Sequence, residues 1–315
     1  MSDNHFQIFY GIEGMYKDVT EIALAQCLNN GILTIPAGDG NRAQIFGDPV
    51  GGVYKHIKIV NNDETKFYYE FTNAMFNINN NILIPIVNEV STYWKSELSN
   101  FLDTKEKLDF IHKHLRLSYG SFNEEYPEQL IVTMFLKGSE KVLEIGANIG
   151  RNSLIISTLL ETQKNLVTLE CNHNIAKQVE YNRNINNYTF NIEKSALSKR
   201  KLYYRGIDTQ ITPSQDSQEC DIISFDELQS KYNITFDTLV IDCEGAFYYI
   251  LIDEPDILNN ISLIIMENDY HDIIYKQTID NILKRKDFQC VYQKSGGWGP
   301  CRDFFYECWK KNVVL

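Results

Sequence analysis

Residues 141–153, KVLEIGANIGRNS, constrain what this chain can fold into more than any other stretch. Val142, Leu143 and Ile145 make an apolar strand, and Gly146 and Gly150 permit close backbone approach and dihedrals closed to other residues. A helix carrying Leu154, Ile155 and Ile156 follows, with Asn152 or Ser153 expected as its cap. A strand running through a glycine turn into a helix is common to α/β folds. It also makes a cradle for a nucleoside cofactor.

The flanking residues favour the cradle. A second apolar strand, 166–169, ends in Glu170, at about the spacing of an acid that grips a ribose. A dinucleotide fold needs G-x-G-x-x-G to bring a helix N-terminus onto a pyrophosphate, whereas Gly146, Asn148 and Gly150 here spell G-x-N-x-G. Glu144, immediately before the turn, suits a cofactor with a cationic amino-acid end. S-adenosylmethionine is such a cofactor.

A second constellation is Asp242-Cys243-Glu244-Gly245, directly after the apolar strand 238–241. Ligands gather at the carboxyl ends of strands in open α/β sheets, which puts Asp242 and Glu244 where a transferable methyl group would sit. Glu267 and Asp269 close the next strand, 263–266, and extend the acidic rim. Cys243, between the two carboxylates, is expected to point into the sheet because strand neighbours alternate sides.

From about 126 to 293 the chain resembles the FkbM-type S-adenosylmethionine-dependent methyltransferases. The resemblance rests on VLEIGANIGRNS (142–153), LECNHNIAKQVEYNRNINN (169–187), SALS (195–198), SFDEL (224–228), FDTLVIDCEGAFYYIL (236–251) and ISLIIMEND (261–269). It implies a class I, Rossmann-like mixed sheet of seven strands flanked by helices. It also implies that Gly146, Asn148 and Gly150 touch the cofactor, that Glu144 answers its methionine end directly or through water, and that Glu170 takes both ribose hydroxyls. Ser195 and Ala196 would line the adenine. The chain departs from the family pattern at Val240, where a lysine is frequent, so any role of that lysine is absent here.

Methyl transfer from a sulfonium is an in-line displacement, so a protein mainly aligns acceptor, carbon and sulfur. A sugar hydroxyl has a high pKa and needs a base or a metal during attack, and Asp242, Glu244 and His271 are the candidates for the base. Asp242, Glu244, Glu267 and Asp269 could instead supply hard oxygen ligands to a divalent ion, and the sequence leaves the metal open. With no C-x-x-C or H-E-x-x-H, a zinc site is not expected. Trp298, among three glycines in a loop between strands 288–293 and 304–309, is a candidate platform for the acceptor, with Glu267 and Asp269 beside it.

A formal net charge of −12 opposes a nucleic-acid substrate, whose phosphates require Lys and Arg. Seven scattered cysteines and a polar start fit a reducing cytoplasm, and no segment approaches the length of a membrane span. The expected organisation is a small α+β module over 1–90, a helical connector over 91–137 and the cofactor-binding domain over 138–315. In the module, residues 38–42 read as a polar loop in which Asp39, Arg42 and Asp48 hold a ligand or an internal clamp. The acceptor is expected to be a small molecule or glycan, and a homo-oligomer is compatible with the sequence. The competing readings are a nicotinamide oxidoreductase, disfavoured by the missing third glycine, and a non-catalytic nucleoside- or glycan-binding protein.

Overall fold

Alternating apolar and polar residues in the first ninety positions predict half-buried strands, and the computed structural model builds two antiparallel sheets from them. It describes residues 6–61, 64–79, 82–83, 92–205, 208–270 and 272–312. By contacts the chain divides into two units, Met1–Thr92 and Tyr93–Leu315. The first holds β1 (Phe6–Ile12), β2 (Met15–Asp18), α1 (Thr20–Cys27), β3 (Leu28–Asn29), β4 (Ile32–Ile35), α2 (Asp39–Phe46), β5 (His56–Asn61), β6 (Glu64–Tyr68), β7 (Ala74–Asn77) and β8 (Ile82–Leu83). The sheet orders are β2-β1-β5-β6 and β3-β4-β7-β8, closed over Ile8, Tyr10, Leu33, Ile57 and Phe76.

The expected polar loop at 38–42 is instead the start of α2. Arg42 on that helix is fully buried and donates to the carbonyls of Pro36, Tyr68, Tyr69 and Thr72, so the guanidinium holds the loop after β6 by its backbone. Asp39 and Asp48 pair with Lys55, at 3.0 and 2.9 Å, and not with Arg42. The clamp is internal and its cation is the lysine.

The second unit runs α3 (Thr104–His114), α4 (Tyr126–Phe135), β9 (Val142–Ile145), α5 (Arg151–Leu159), β10 (Leu166–Leu169), α6 (His173–Ile185), β11 (Asn191–Glu193) and β12 (Ala196–Leu197). A small antiparallel group follows, β13 (Tyr203–Arg205), β14 (Asp208–Gln210) and β15 (Gln218–Glu219), and then β16 (Ile222–Ile223), which pairs with β12. The rest is α7 (Phe225–Tyr232), β17 (Thr238–Ile241), α8 (Phe247–Asp253), β18 (Leu263–Glu267), α9 (Ile273–Arg285), β19 (Phe288–Lys294) and β20 (Tyr306–Lys311). The helices at 104–135 thus belong to the same unit as the sheet. Pro127 occupies the first turn of α4, where its missing N–H costs nothing.

Seven strands form one sheet in the order β11-β10-β9-β17-β18-β20-β19, parallel except for the reversed β20. This is the class I methyltransferase variant of the Rossmann-like fold. Central strands β9, β10 and β17 are buried on both faces, which is why their sequences are near-continuous apolar runs. Val142, Val240 and Ile265 face a core with α4 and α5, while Leu143, Leu239 and Ile264 face a core with α7 and α8. Strand order reverses between β9 and β17, and the crevice above that switch point is where such sheets bind ligands.

Candidate active site

Close approach of two strand tips builds the floor of this crevice. Gly146 has φ +94°, and a Cβ there would lie 1.5 Å from the carbonyl oxygen of Asp242. Only glycine lets the turn after β9 press against the tip of β17. Gly150, with φ +87°, precedes α5, and no side chain caps that helix. The expected cap at Asn152 or Ser153 is therefore not made: Ser153 instead donates its hydroxyl to Glu144.

A cavity opens above these tips. Gly146, Asn148, Glu170, Ser195, Ala196, Asp242 and Glu244 line it together. The Glu170 carboxylate accepts the Asn172 amide at 2.8 Å, and burial raises its pKa to about 7. Ser195 spends its hydroxyl on Glu193 at 2.8 Å, which leaves its backbone and Ala196 to form that wall. Cys243 packs against the core below and also reaches the cavity, where burial pushes its thiol well above the usual range. That position makes it an inert wall rather than a nucleophile.

Glu144 is not on this wall. It shares the sheet face of Val142, toward α5, and is 2% exposed. One carboxylate oxygen accepts from Ser153, the other has no partner, and burial lifts the pKa to about 7. A direct grip on a ligand's ammonium is thus not its geometry in this structure. Gly150 also lies off the cavity wall.

Acids cluster more densely than the sequence suggested. Oxygens of Glu125, Glu128 and Asp242 lie within 4.8 Å of one another, as do those of Asp242, Glu244 and Asp269. Glu128, on the buried face of α4, shares a small cavity with Glu267. Burial first, then the negative charge of their neighbours, holds the carboxyls of Asp242 and Glu128 well above the usual range. Arg151 pairs with Glu125 at 2.7 Å and with Glu124. Asn148 donates to the same Glu125 oxygen at 3.1 Å. Glu125 and Glu128 escaped the sequence reading, although Glu128 stands three and four places before the buried Ile131 and Val132, where an apolar side chain is expected.

Of the remaining described candidates, Trp298 stands apart and Asp269 belongs to this group. Trp298 is 55% exposed and lies on neither this cavity's wall nor that of its neighbour described below. Asp269 is buried and accepts from the Cys301 thiol at 3.6 Å. His271 lies outside the described residues.

No family model matches the chain, and no curated protein matches it. Solved structures of similar trace include a ribosomal protein L11 methylase from Lactobacillus delbrueckii subsp. bulgaricus, at 13% identity and TM-score 0.40, covering 62% of this chain and 82% of that one. An O-methyltransferase from Bacillus cereus in complex with SAH is 19% identical, with TM-score 0.38, covering 71% of this chain and 99% of that one. A protein of the NADB-Rossmann superfamily from Streptococcus agalactiae is 12% identical, with TM-score 0.40, covering 64% and 72%.

Proposed function

We propose that the protein is an S-adenosylmethionine-dependent O-methyltransferase of the FkbM type acting on a hydroxyl of a sugar or glycoconjugate. One observation carries this reading. The cavity at the switch point brings Gly146, Asn148, Glu170 and Asp242 to a single wall on which, among the described residues, there are acids and no Lys or Arg. A pyrophosphate would find no cation to pair with there, while the ammonium end of a sulfonium nucleoside finds carboxyl oxygens to accept its N–H donors. The chemistry of the wall therefore favours S-adenosylmethionine over a nicotinamide dinucleotide.

When bound, that cofactor supplies an electrophilic methyl carbon. Glu170 would hold the ribose hydroxyls by accepting both. Ala196 and Leu197 would cover the adenine, and the close-packed turn at Gly146 and Asn148 would present backbone to the methionine part. Asp242, at the tip of β17 and flanked by Glu244 and Asp269, is the base of this reading. It accepts the acceptor's hydroxyl proton as the oxygen attacks. Asp242, Glu244 and Asp269 are also a hard-oxygen donor set for a divalent ion of the magnesium class, which would acidify that hydroxyl. Glycan specificity follows the family resemblance of the sequence and the acid-rich wall, which repels polyanionic acceptors.

Turnover of labelled methyl donor over a glycan panel tests the reading. Asp242→Asn should lower turnover by about 10²- to 10⁴-fold, the range of a lost general base. Undiminished turnover in that variant, or turnover with nucleic acid only, would refute it. Chelation with EDTA should abolish activity if the acid trio holds a cation and leave it intact if Asp242 acts alone.

A further inference from the structure

A second cavity adjoins the first and shares with it Leu197, Leu202, Thr209, Glu244, Ala246 and Ile250. Its own wall comes from α8 and the segment after β12: Tyr249, Asp253, Glu254, Arg200 and Gln210, with Tyr275 from α9. We propose that this cavity seats the methyl acceptor, that the acceptor is an uncharged saccharide, and that Tyr249 is its platform. The proposal rests on the methyltransferase reading above.

Three features carry it. The first is aromatic surface. Tyr249 is 39% exposed, its hydroxyl stands 3.3 Å from that of Tyr275, and Tyr275 stacks on Tyr248 at 4.1 Å. The Arg200 guanidinium lies over the Tyr249 ring, 5.2 Å from its centroid, so a pyranose would pack its C–H face on the side that Arg200 does not cover.

The second is charge. Among the described wall residues Arg200 is the one Lys or Arg, and it forks onto both oxygens of Asp253. Lys199, from outside the wall, pairs with Glu254 at 2.8 Å. Glu244 adds a further carboxylate. A phosphate would find these cations already engaged by carboxylates, so a phosphorylated sugar or sugar nucleotide is disfavoured.

The third is polarity. The wall interleaves Tyr hydroxyls, the Gln210 amide and several carboxylates with its apolar residues. Beyond the bonds these groups already make, carboxylate and hydroxyl oxygens keep further lone pairs, which a polyol can engage and a flat aromatic acceptor cannot. Glu244 lies on both walls, and its carboxylate is within 4.8 Å of the Asp242 and Asp269 oxygens. A hydroxyl projecting past Glu244 therefore faces the acid group where the methyl carbon is to be placed.

The test is calorimetry on the full-length protein, apo and loaded with S-adenosylhomocysteine. The titrants are methyl glycosides of glucose, galactose, mannose, N-acetylglucosamine, rhamnose and fucose, together with lactose, glucose 6-phosphate and UDP-glucose. At least one neutral saccharide should bind, and the phosphorylated ligands should bind at least about tenfold more weakly. Tyr249→Ala should weaken that saccharide by about tenfold while S-adenosylhomocysteine affinity stays within about twofold, which also reports that the variant is folded. Tyr275→Phe, a milder change, should cost a smaller factor. The proposal is overturned if no neutral saccharide binds, if a phosphorylated sugar binds more tightly, or if Tyr249→Ala leaves saccharide affinity unchanged. Loss of S-adenosylhomocysteine binding by the wild type would instead sink the donor reading, and the apo titrations keep the two failures apart.

Discussion

Two glutamates, one buried and one half-buried, shift in the same direction and do different work at the residue scale. Glu170 faces the cavity with its pKa raised to about 7, so a growing fraction loses its charge as pH falls below that value. Affinity for S-adenosylhomocysteine should then decline by about tenfold per pH unit below 7, and Glu170→Gln should be weak and flat across the same range. Glu144 faces the core. Its folded pKa of about 7 exceeds the ordinary value of 4.5, so the native state binds more protons between those limits and stability falls as pH rises through them. Glu144→Gln should leave stability unchanged near pH 4.5 and raise it on the order of 2 kcal/mol at pH 8, measured by urea unfolding. The sequence disclosed Glu170 and Asp242 because each directly follows an apolar strand. It did not disclose which face Glu144 takes, since strand alternation settles that only once the helix covering the sheet is known. Glu128 was hidden for a different reason: within α4 it reads as an ordinary solvated charge unless the buried stripe is drawn first.

At the scale of elements, the turn after β9 is the least tolerant segment. Gly146→Ala places a methyl 1.5 Å from a backbone oxygen at a positive φ, and should destabilise the protein by at least about 3 kcal/mol, read as a lower urea midpoint. Asn182 on α6 is a second such point. Its amide bonds Ser118, Tyr119 and the Ile149 carbonyl, tying the stretch before α4 to the glycine turn. Asn182→Ala should cost about 2–3 kcal/mol through backbone groups left unpaired. The strands of the large sheet were legible from their apolar runs, and the closing hairpin β19–β20 from its flanking glycines. Helix α2 was not, because Gly38, Asp39, Gly40 and Asn41 carry turn chemistry, and the four carbonyls that Arg42 gathers come from residues up to 30 positions away.

For the whole molecule, charge and division matter most. A formal charge of −12 and an acid-lined crevice disfavour nucleic acid as the substrate. The two units have separate apolar cores, one around Ile8 and Tyr10 and the others on the faces of the seven-stranded sheet. A fragment of residues 93–315 should therefore fold alone, with a cooperative thermal transition and cavity residues unchanged. Aggregation of that fragment under conditions where the full chain is stable would contradict this.

The central claim is that Gly146, Glu170 and Asp242 form one nucleoside site for a sulfonium cofactor. Titration calorimetry of the full chain with S-adenosylhomocysteine and with NAD, on wild type and Glu170→Gln, tests it most directly. One S-adenosylhomocysteine should bind per chain, at least about tenfold more weakly in the variant, with no heat from NAD. Binding of NAD alone, or S-adenosylhomocysteine affinity indifferent to Glu170, would contradict it.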